Sequence, residues 1–225
     1  MNTPGRDSRP PIRVLVAEDH PIVLEGLVTL LSGQGGFSVE GSATDRSGLR
    51  TLTQKVSADV LLMDLMLRDD DGLALIKELV AQHPPLRILV FSLQPESNYA
   101  ERCLRAGARG YLMKQEPVET LFAAIRTVAA GSVCLSPRMA AALLGTLTGA
   151  ARKPAGAYAQ LTDRELQVFR LIGLGKSSRE AALQLGISSK TVEAHRENIK
   201  NKLGLDSAAA LVARAAVWVR EGERN

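Results

Sequence analysis

Long apolar runs are missing from this 225-residue chain. No stretch of about 18 uncharged apolar residues occurs, so a membrane-spanning helix is not expected. A signal-peptide core is missing too: Met1 to Pro11 is polar, and a cytoplasmic location is expected. Cysteine is scarce. Cys103 and Cys134 lack metal-ligand spacing and are expected to be reduced packing residues. No internal repeat is present. Residues 1–150 lack an excess charge of either sign, with 15 Lys/Arg against 16 Asp/Glu. Residues 151–225 hold 13 Lys/Arg against 8 Asp/Glu, a basic balance compatible with nucleic acid. The apolar content of 45% is that of an ordinary globular protein, and the length suits one large domain or two small ones.

The first 130 residues alternate short apolar runs with helical stretches. Strands are expected near 12–17, 37–42, 59–63, 87–91 and 108–112. Helices are expected near 21–32, 46–55, 72–82, 97–106 and 117–130. Five βα units predict an α/β fold with a doubly wound five-stranded parallel sheet and helices on both faces. A short helix follows over Ser136 to Leu147. The Gly, Ala and Pro content of Thr148 to Ala157 reads as a linker.

Beyond Leu161 only helices are expected. Thr162-Asp-Arg-Glu165 fits a capping box, with Leu161 and Leu166 as its staple, and Ser177-Ser-Arg-Glu180 fits a second. Gly186 and Gly204 suit helix ends, Ser188 suits a cap, and Asp206 or Ser207 opens a fourth helix. Compact helices joined by short turns predict a small all-α helix-turn-helix domain.

Polar residues stand at the ends of the apolar runs. They are Glu18 and Asp19, Asp64, Ser92 and Lys114. Ligands of an open α/β sheet bind outside the carboxyl ends of its strands, so these side chains should converge. A carboxylate, flanking acids able to hold magnesium, a hydroxyl and an ammonium are the parts needed to place a phosphoryl group on Asp64.

At these residues the sequence resembles the receiver domain of two-component response regulators. The resemblance rests on Val14-Leu-Val-Ala-Glu-Asp-His-Pro-Ile-Val23, Leu62-Met-Asp64-Leu65, Asp71-Gly72-Leu73, Phe91-Ser92 and Gly110-Tyr-Leu-Met-Lys114. It implies a flavodoxin-like receiver over residues 12–132 whose Asp64 accepts phosphate from a sensor histidine kinase. It also implies Mg2+ held by Glu18, Asp19, Asp64 and the Met66 backbone carbonyl. Tyr111 matches the family's switch aromatic, which follows Ser92 inward; plain core packing is the other reading. Some residues depart from the family. Glu18 stands where Asp is commoner, and Arg68 where Pro is usual. Asp69, Asp70 and Asp71 form an acidic run, read as solvated surface. His20 reads as helix-start packing.

Leu161 to Gly175 and Lys190 to Gly204 resemble LuxR-type helix-turn-helix domains, which assigns residues 158–225 to DNA binding and 133–157 to a linker with a short helix. Both resemblances together point to the NarL/FixJ group. In the third helix of this part, Val192, His195, Ile199 and Leu203 should face inward. Lys190, Thr191, Glu193, Ala194, Arg196, Glu197 and Lys200 are then expected at double-stranded DNA, with Lys202 as a further phosphate contact. Glu193 either accepts from a base or forms a surface ion pair. The last helix is apolar nearly all round. The resemblance makes Leu211, Ala215 and Trp218 contacts of a homodimer, with core packing as the alternative.

The expected function is a phosphorylation-controlled transcription regulator, not an enzyme. Two other classes compete with this reading. Aspartate-nucleophile phosphatases usually carry a second Asp two residues after the first, where this chain has Met66. A constitutive DNA-binding protein with a vestigial receiver does not need the complete pocket.

Overall fold

The computed structural model describes residues 10–68, 71–147, 158 and 160–224. The expected linker Thr148 to Ala157, Asp69, Asp70 and residues 1–9 lie outside these. The five strands are β1 (Ile12–Ala17), β2 (Phe37–Ala43), β3 (Val60–Met63), β4 (Arg87–Ser92) and β5 (Gly110–Met113). They alternate with α1 (Pro21–Gly33), α2 (Arg46–Lys55), α3 (Gly72–Gln82), α4 (Glu96–Ala106) and α5 (Val118–Ala129). All pairings are parallel, in the order β2-β1-β3-β4-β5. The chain therefore reverses its direction of winding between β1 and β3, where a crevice opens.

Successive side chains of a strand point to opposite faces. Leu15, Leu61, Met63, Ile88 and Val90 pack with Leu49 of α2, Leu75, Ile76 and Leu79 of α3, and Tyr99 and Cys103 of α4. Val14, Val16, Leu62 and Leu89 pack with Leu27 and Leu31 of α1 and Leu121, Ile125 and Val128 of α5. Both faces are covered, which explains runs that are apolar throughout rather than alternating.

A linking helix α6 (Pro137–Leu147) starts where Ser136 donates from N to Glu96 Oε1 at 2.9 Å and from its hydroxyl to Glu96 Oε2. The helical unit follows with α7 (Asp163–Gly173), α8 (Ser178–Leu185), α9 (Ser189–Leu203) and α10 (Ala208–Arg224). Both expected capping boxes form, on α7 and on α8. Gly186 and Gly204 end α8 and α9 at φ +62° and +63°, a conformation costly for residues with a Cβ.

The two units are in contact. Arg102 of α4 donates to Asp163 Oδ1 at 2.7 Å, to the Leu161 carbonyl at 2.7 Å and to the Tyr158 carbonyl at 3.4 Å. Beside it, the Tyr99 ring lies 6.3 Å from Trp218 of α10. Trp218 also packs against Phe169 and Tyr158, at 5.4 and 5.6 Å. A cleft at this seam is lined by Leu65, Gly72 and Tyr99 on one side and Leu166, Arg170 and Leu185 on the other.

Candidate functional site

Glu18 and Asp19 leave β1, Asp64 leaves β3, Ser92 ends β4 and Lys114 follows β5, so the sheet brings all five to its carboxyl edge. Glu18, Asp64 and Ser92 are buried. Buried carboxylates need partners. Lys114 supplies them: its Nζ donates to Glu18 Oε2 at 2.5 Å and Asp64 Oδ2 at 2.8 Å. Burial by itself would lower the lysine's pKa. Asp64 and Glu18 outweigh it and hold the ammonium above its ordinary value, so it stays charged at neutral pH. The Met66 amide donates to Asp64 Oδ1 at 3.1 Å.

The Ser92 hydroxyl accepts from the Gln94 amide at 3.2 Å. Tyr111 donates to the Gln94 carbonyl at 2.7 Å and is already buried, with desolvation pushing its phenol far above its ordinary pKa. Both residues hold the loop that leads into α4.

Arg68 explains the missing proline. Its φ is +51°, and its amide donates to Asp19 Oδ2 at 3.0 Å. Proline has neither that φ nor an amide hydrogen. Asp71, read as solvated surface, is the N-cap of α3 and accepts from the Ala74 amide at 3.0 Å.

His20 does not fill the packing role expected of it. Its side chain is 66% exposed. It occupies the N-cap position of α1 yet makes no capping bond. The ring turns back to the acids, with Nδ1 at 3.0 Å from Glu18 Oε1 and 3.0 Å from Asp19 Oδ1. Sequence reasoning missed this because helical position says nothing about which way an exposed ring turns.

Magnesium fits the donor set. Glu18, Asp19, His20 and Asp64 each offer a ligand atom, all within 4.8 Å of one another. Asp19 Oδ1 is buried and accepts no hydrogen bond, leaving a lone pair for a cation. The oxygen-rich donors suit a hard divalent ion.

On α9, Lys190, Thr191, Glu193, Ala194 and Glu197 are exposed, and Arg196 and Lys200 are half-buried. Val192 and Ile199 are buried, and His195 and Leu203 are partly so, as helical spacing requires. Lys200 pairs with Glu197 at 3.0 Å. Glu193 accepts from the Ser178 hydroxyl and lies 3.6 Å from Arg196. Both contacts fit the ion-pair reading of Glu193, and the bond to Ser178 ties α9 to α8. Lys202, expected at phosphates, turns the other way and donates to the buried Glu165 at 2.6 Å.

Leu211, Ala215 and Trp218 were expected at a dimer contact. The structure buries all three within the chain: α10 lies on α7, and Gly173 permits the close approach. The large apolar residues that α10 leaves exposed are Val212 and Val217.

Sheet, acidic pocket and helix-turn-helix unit together define a receiver joined to a DNA-binding domain. The response regulator receiver domain family matches residues 14–126, and the luxR family of bacterial regulatory proteins matches residues 159–215. The chain is similar to the oxygen regulatory protein NreC of Staphylococcus carnosus, 32% identical over 206 residues that span 89% of this chain and 95% of that protein. It is similar to the transcriptional regulatory protein MctR of Rhizobium johnstonii, 34% identical over 205 residues, 91% of this chain and 92% of that protein. A structure of RcsB from Salmonella enterica serovar Typhimurium, bound to promoter rprA in the presence of phosphomimetic BeF3−, has 27% identity. It covers 92% of this chain and 98% of its own, with a TM-score of 0.68. The chain belongs to the NarL/FixJ-type response regulators, transcription regulators that bind DNA rather than classical enzymes. Among the described residues, no helix is long and apolar enough to cross a membrane.

Proposed function

We propose that this regulator is switched by phosphorylation of Asp64, and that the modification loosens the seam between its two domains and favours a DNA-binding homodimer. The observation carrying this reading is the pocket: Asp64 is held beside Lys114 at 2.8 Å, with Glu18, Asp19 and Ser92 on the same sheet edge. The domains are taken as residues 12–132 and 158–225, joined by 133–157, in a cytoplasmic protein.

The partner on the input side is a sensor histidine kinase. A carboxylate oxygen of Asp64 attacks the phosphorus of a phosphohistidine. The phosphorus–nitrogen bond breaks, and the imidazole leaves with the electron pair. Glu18, Asp19, Asp64 and the Met66 carbonyl would hold Mg2+, which when bound neutralises charge on the phosphoryl oxygens. Lys114, already charged, balances a further phosphoryl oxygen.

Ser92 is the relay. When its hydroxyl turns to the phosphoryl group, the Gln94 amide loses its acceptor. Gln94 sits just ahead of α4, and α4 carries both Tyr99 and Arg102. Displacing α4 therefore strains the bonds to Asp163, Leu161 and Tyr158. Phosphate can shift the equilibrium only through contacts that differ between the two states, and these contacts lie on the helix that follows the relay.

The output is double-stranded DNA. Lys190, Thr191, Glu193, Ala194, Arg196, Glu197 and Lys200 form the outer face of α9, and the basic side chains among them neutralise phosphates. The apolar Val212 and Val217 of α10 are assigned to the dimer contact in place of its buried side.

The test is intact mass after incubation with Mg2+ and a small-molecule phosphodonor. Wild type should gain one phosphoryl group and Asp64→Asn none. An adduct on neither, with both proteins folded, would refute the reading.

A further inference from the structure

We infer that His20 is a ligand in the cation pocket and tilts its preference from Mg2+ toward first-row transition ions such as Mn2+. The inference rests on the receiver reading, because it concerns the same pocket.

The geometry begins at the start of α1. A residue at the N-cap normally turns its side chain to the helix's free amides, and His20 does not. Its ring lies over the two acids instead, with Nδ1 at 3.0 Å from Glu18 Oε1 and 3.0 Å from Asp19 Oδ1. The one ring nitrogen therefore meets a carboxylate oxygen of each acid at the same distance.

Two ligands side by side on an octahedral ion, with bonds of about 2.1 Å, stand about 3.0 Å apart, and opposite ligands about 4.2 Å. The His20–Asp19 and His20–Glu18 separations have the first value. All four donor residues lie within 4.8 Å of one another, which also admits the second. Lys114 occupies the far side, on Glu18 Oε2 and Asp64 Oδ2, and leaves Glu18 Oε1 and Asp19 Oδ1 toward the ring.

The chemistry of the donor supplies the selectivity. Mg2+ prefers oxygen and keeps much of its water. Imidazole suits transition ions, whose affinity for nitrogen rises along the first row. When a cation takes the place of the bond to Glu18, the ring proton is carried on Nε2 and the Nδ1 lone pair is free to coordinate. The ring is 66% exposed, so it can turn to the ion without disturbing the core.

The experiment titrates the full-length protein separately with Mn2+ and Mg2+ by calorimetry, for wild type and His20→Ala. Electron spin-echo spectroscopy on the Mn2+ samples reads nitrogen coupling directly. We expect Mn2+ to bind wild type more tightly than Mg2+, with 14N modulation present. His20→Ala should raise the Mn2+ Kd by about tenfold or more, erase the modulation and leave the Mg2+ Kd within about twofold. Equal losses for both ions, no loss for Mn2+, or wild-type Mn2+ without nitrogen coupling would each overturn the inference. No phosphodonor enters this experiment. Nitrogen-coupled Mn2+ alongside a failed mass assay would sustain the ligand role while removing the phosphorylation reading, and an adduct without coupling would do the reverse.

Discussion

Replacing Arg102 with alanine removes the guanidinium that ties α4 to the start of α7. Three acceptors lose it: Asp163 Oδ1 at 2.7 Å, the Leu161 carbonyl at 2.7 Å and the Tyr158 carbonyl at 3.4 Å. The arginine side chain is 15% exposed and the aspartate 39%, so the ion pair is sheltered on one side only. Such a bond contributes about 1–2 kcal/mol, between the values for exposed pairs and for buried charge-assisted bonds. The short bond to the Leu161 carbonyl adds about 1 kcal/mol. A total of about 2–3 kcal/mol moves the closed-to-open ratio by roughly 30- to 150-fold. Lys77 does not replace the lost contact, being 3.6 Å from Asp163 and more than half exposed. The assay uses the chain's single tryptophan, Trp218, whose ring is covered on the receiver side by Tyr99. Arg102→Ala should red-shift its emission, increase acrylamide quenching and raise the radius of gyration in X-ray scattering. In wild type the phosphodonor should move the same signals in the same direction. A folded variant with unchanged emission and radius would refute the latch.

The other predictions concern stability. Glu78 joins α3 to α2 through Arg50 at 2.5 Å and Arg46 at 2.6 Å. Hydrogen bonds from Arg50 first and Arg46 second hold its carboxyl at about 2, below an ordinary 4.5. A depressed carboxylate stabilises the fold fully above its unfolded pKa and loses that contribution as pH falls through the folded one. Wild type should thus lose about 1–2 kcal/mol, discounted for solvent screening, between about pH 4.5 and pH 2, and Glu78→Gln should lack this loss in urea titrations. Gly173 and Gly26 should respond oppositely to alanine. A Cβ at Gly173 would stand 2.4 Å from the Ala215 carbonyl oxygen, whereas at Gly26 it meets nothing within 4 Å. Thermal unfolding should show Gly173→Ala destabilised by about 1–3 kcal/mol or more through overpacking of α7 on α10, and Gly26→Ala stabilised by roughly 0.5–1 kcal/mol.

Much of the pocket was legible because its information is local. A strand buried on both faces declares itself as an apolar run, and the residue that ends the run stands at the sheet edge. Asp64, Ser92 and Lys114 could therefore be placed without knowing any contact. The capping boxes at Thr162 and Ser177 were legible for the same reason, since each is complete within four residues. What was not legible depends on partners far along the chain. Lys202 is directed to Glu165, and Arg102 to Asp163; neither pairing has a sequence signature. Arg68 stands between the two kinds. Its departure from the family was visible, but the reason, an amide bond to Asp19 at positive φ, required the backbone.

The last helix shows how a correct pattern can support a wrong assignment. An all-round apolar α10 demands burial on more than one side, and that demand is met. Phe169 and Tyr158 cover Trp218 from within the helical unit, and Tyr99 covers it from the receiver. The pattern counted apolar faces without saying which neighbour takes which face. Once α7 and the receiver have taken Leu211, Ala215 and Trp218, the face with Val212 and Val217 is left. A partner subunit seated there would leave the covered side undisturbed. Dimer formation through that outer face does not itself require the bonds of Arg102 to break, so opening and pairing are separable events. A phosphate signal acting on α4 then has to favour the dimer through the receiver or through freedom of the helical unit, rather than by uncovering Val212 and Val217.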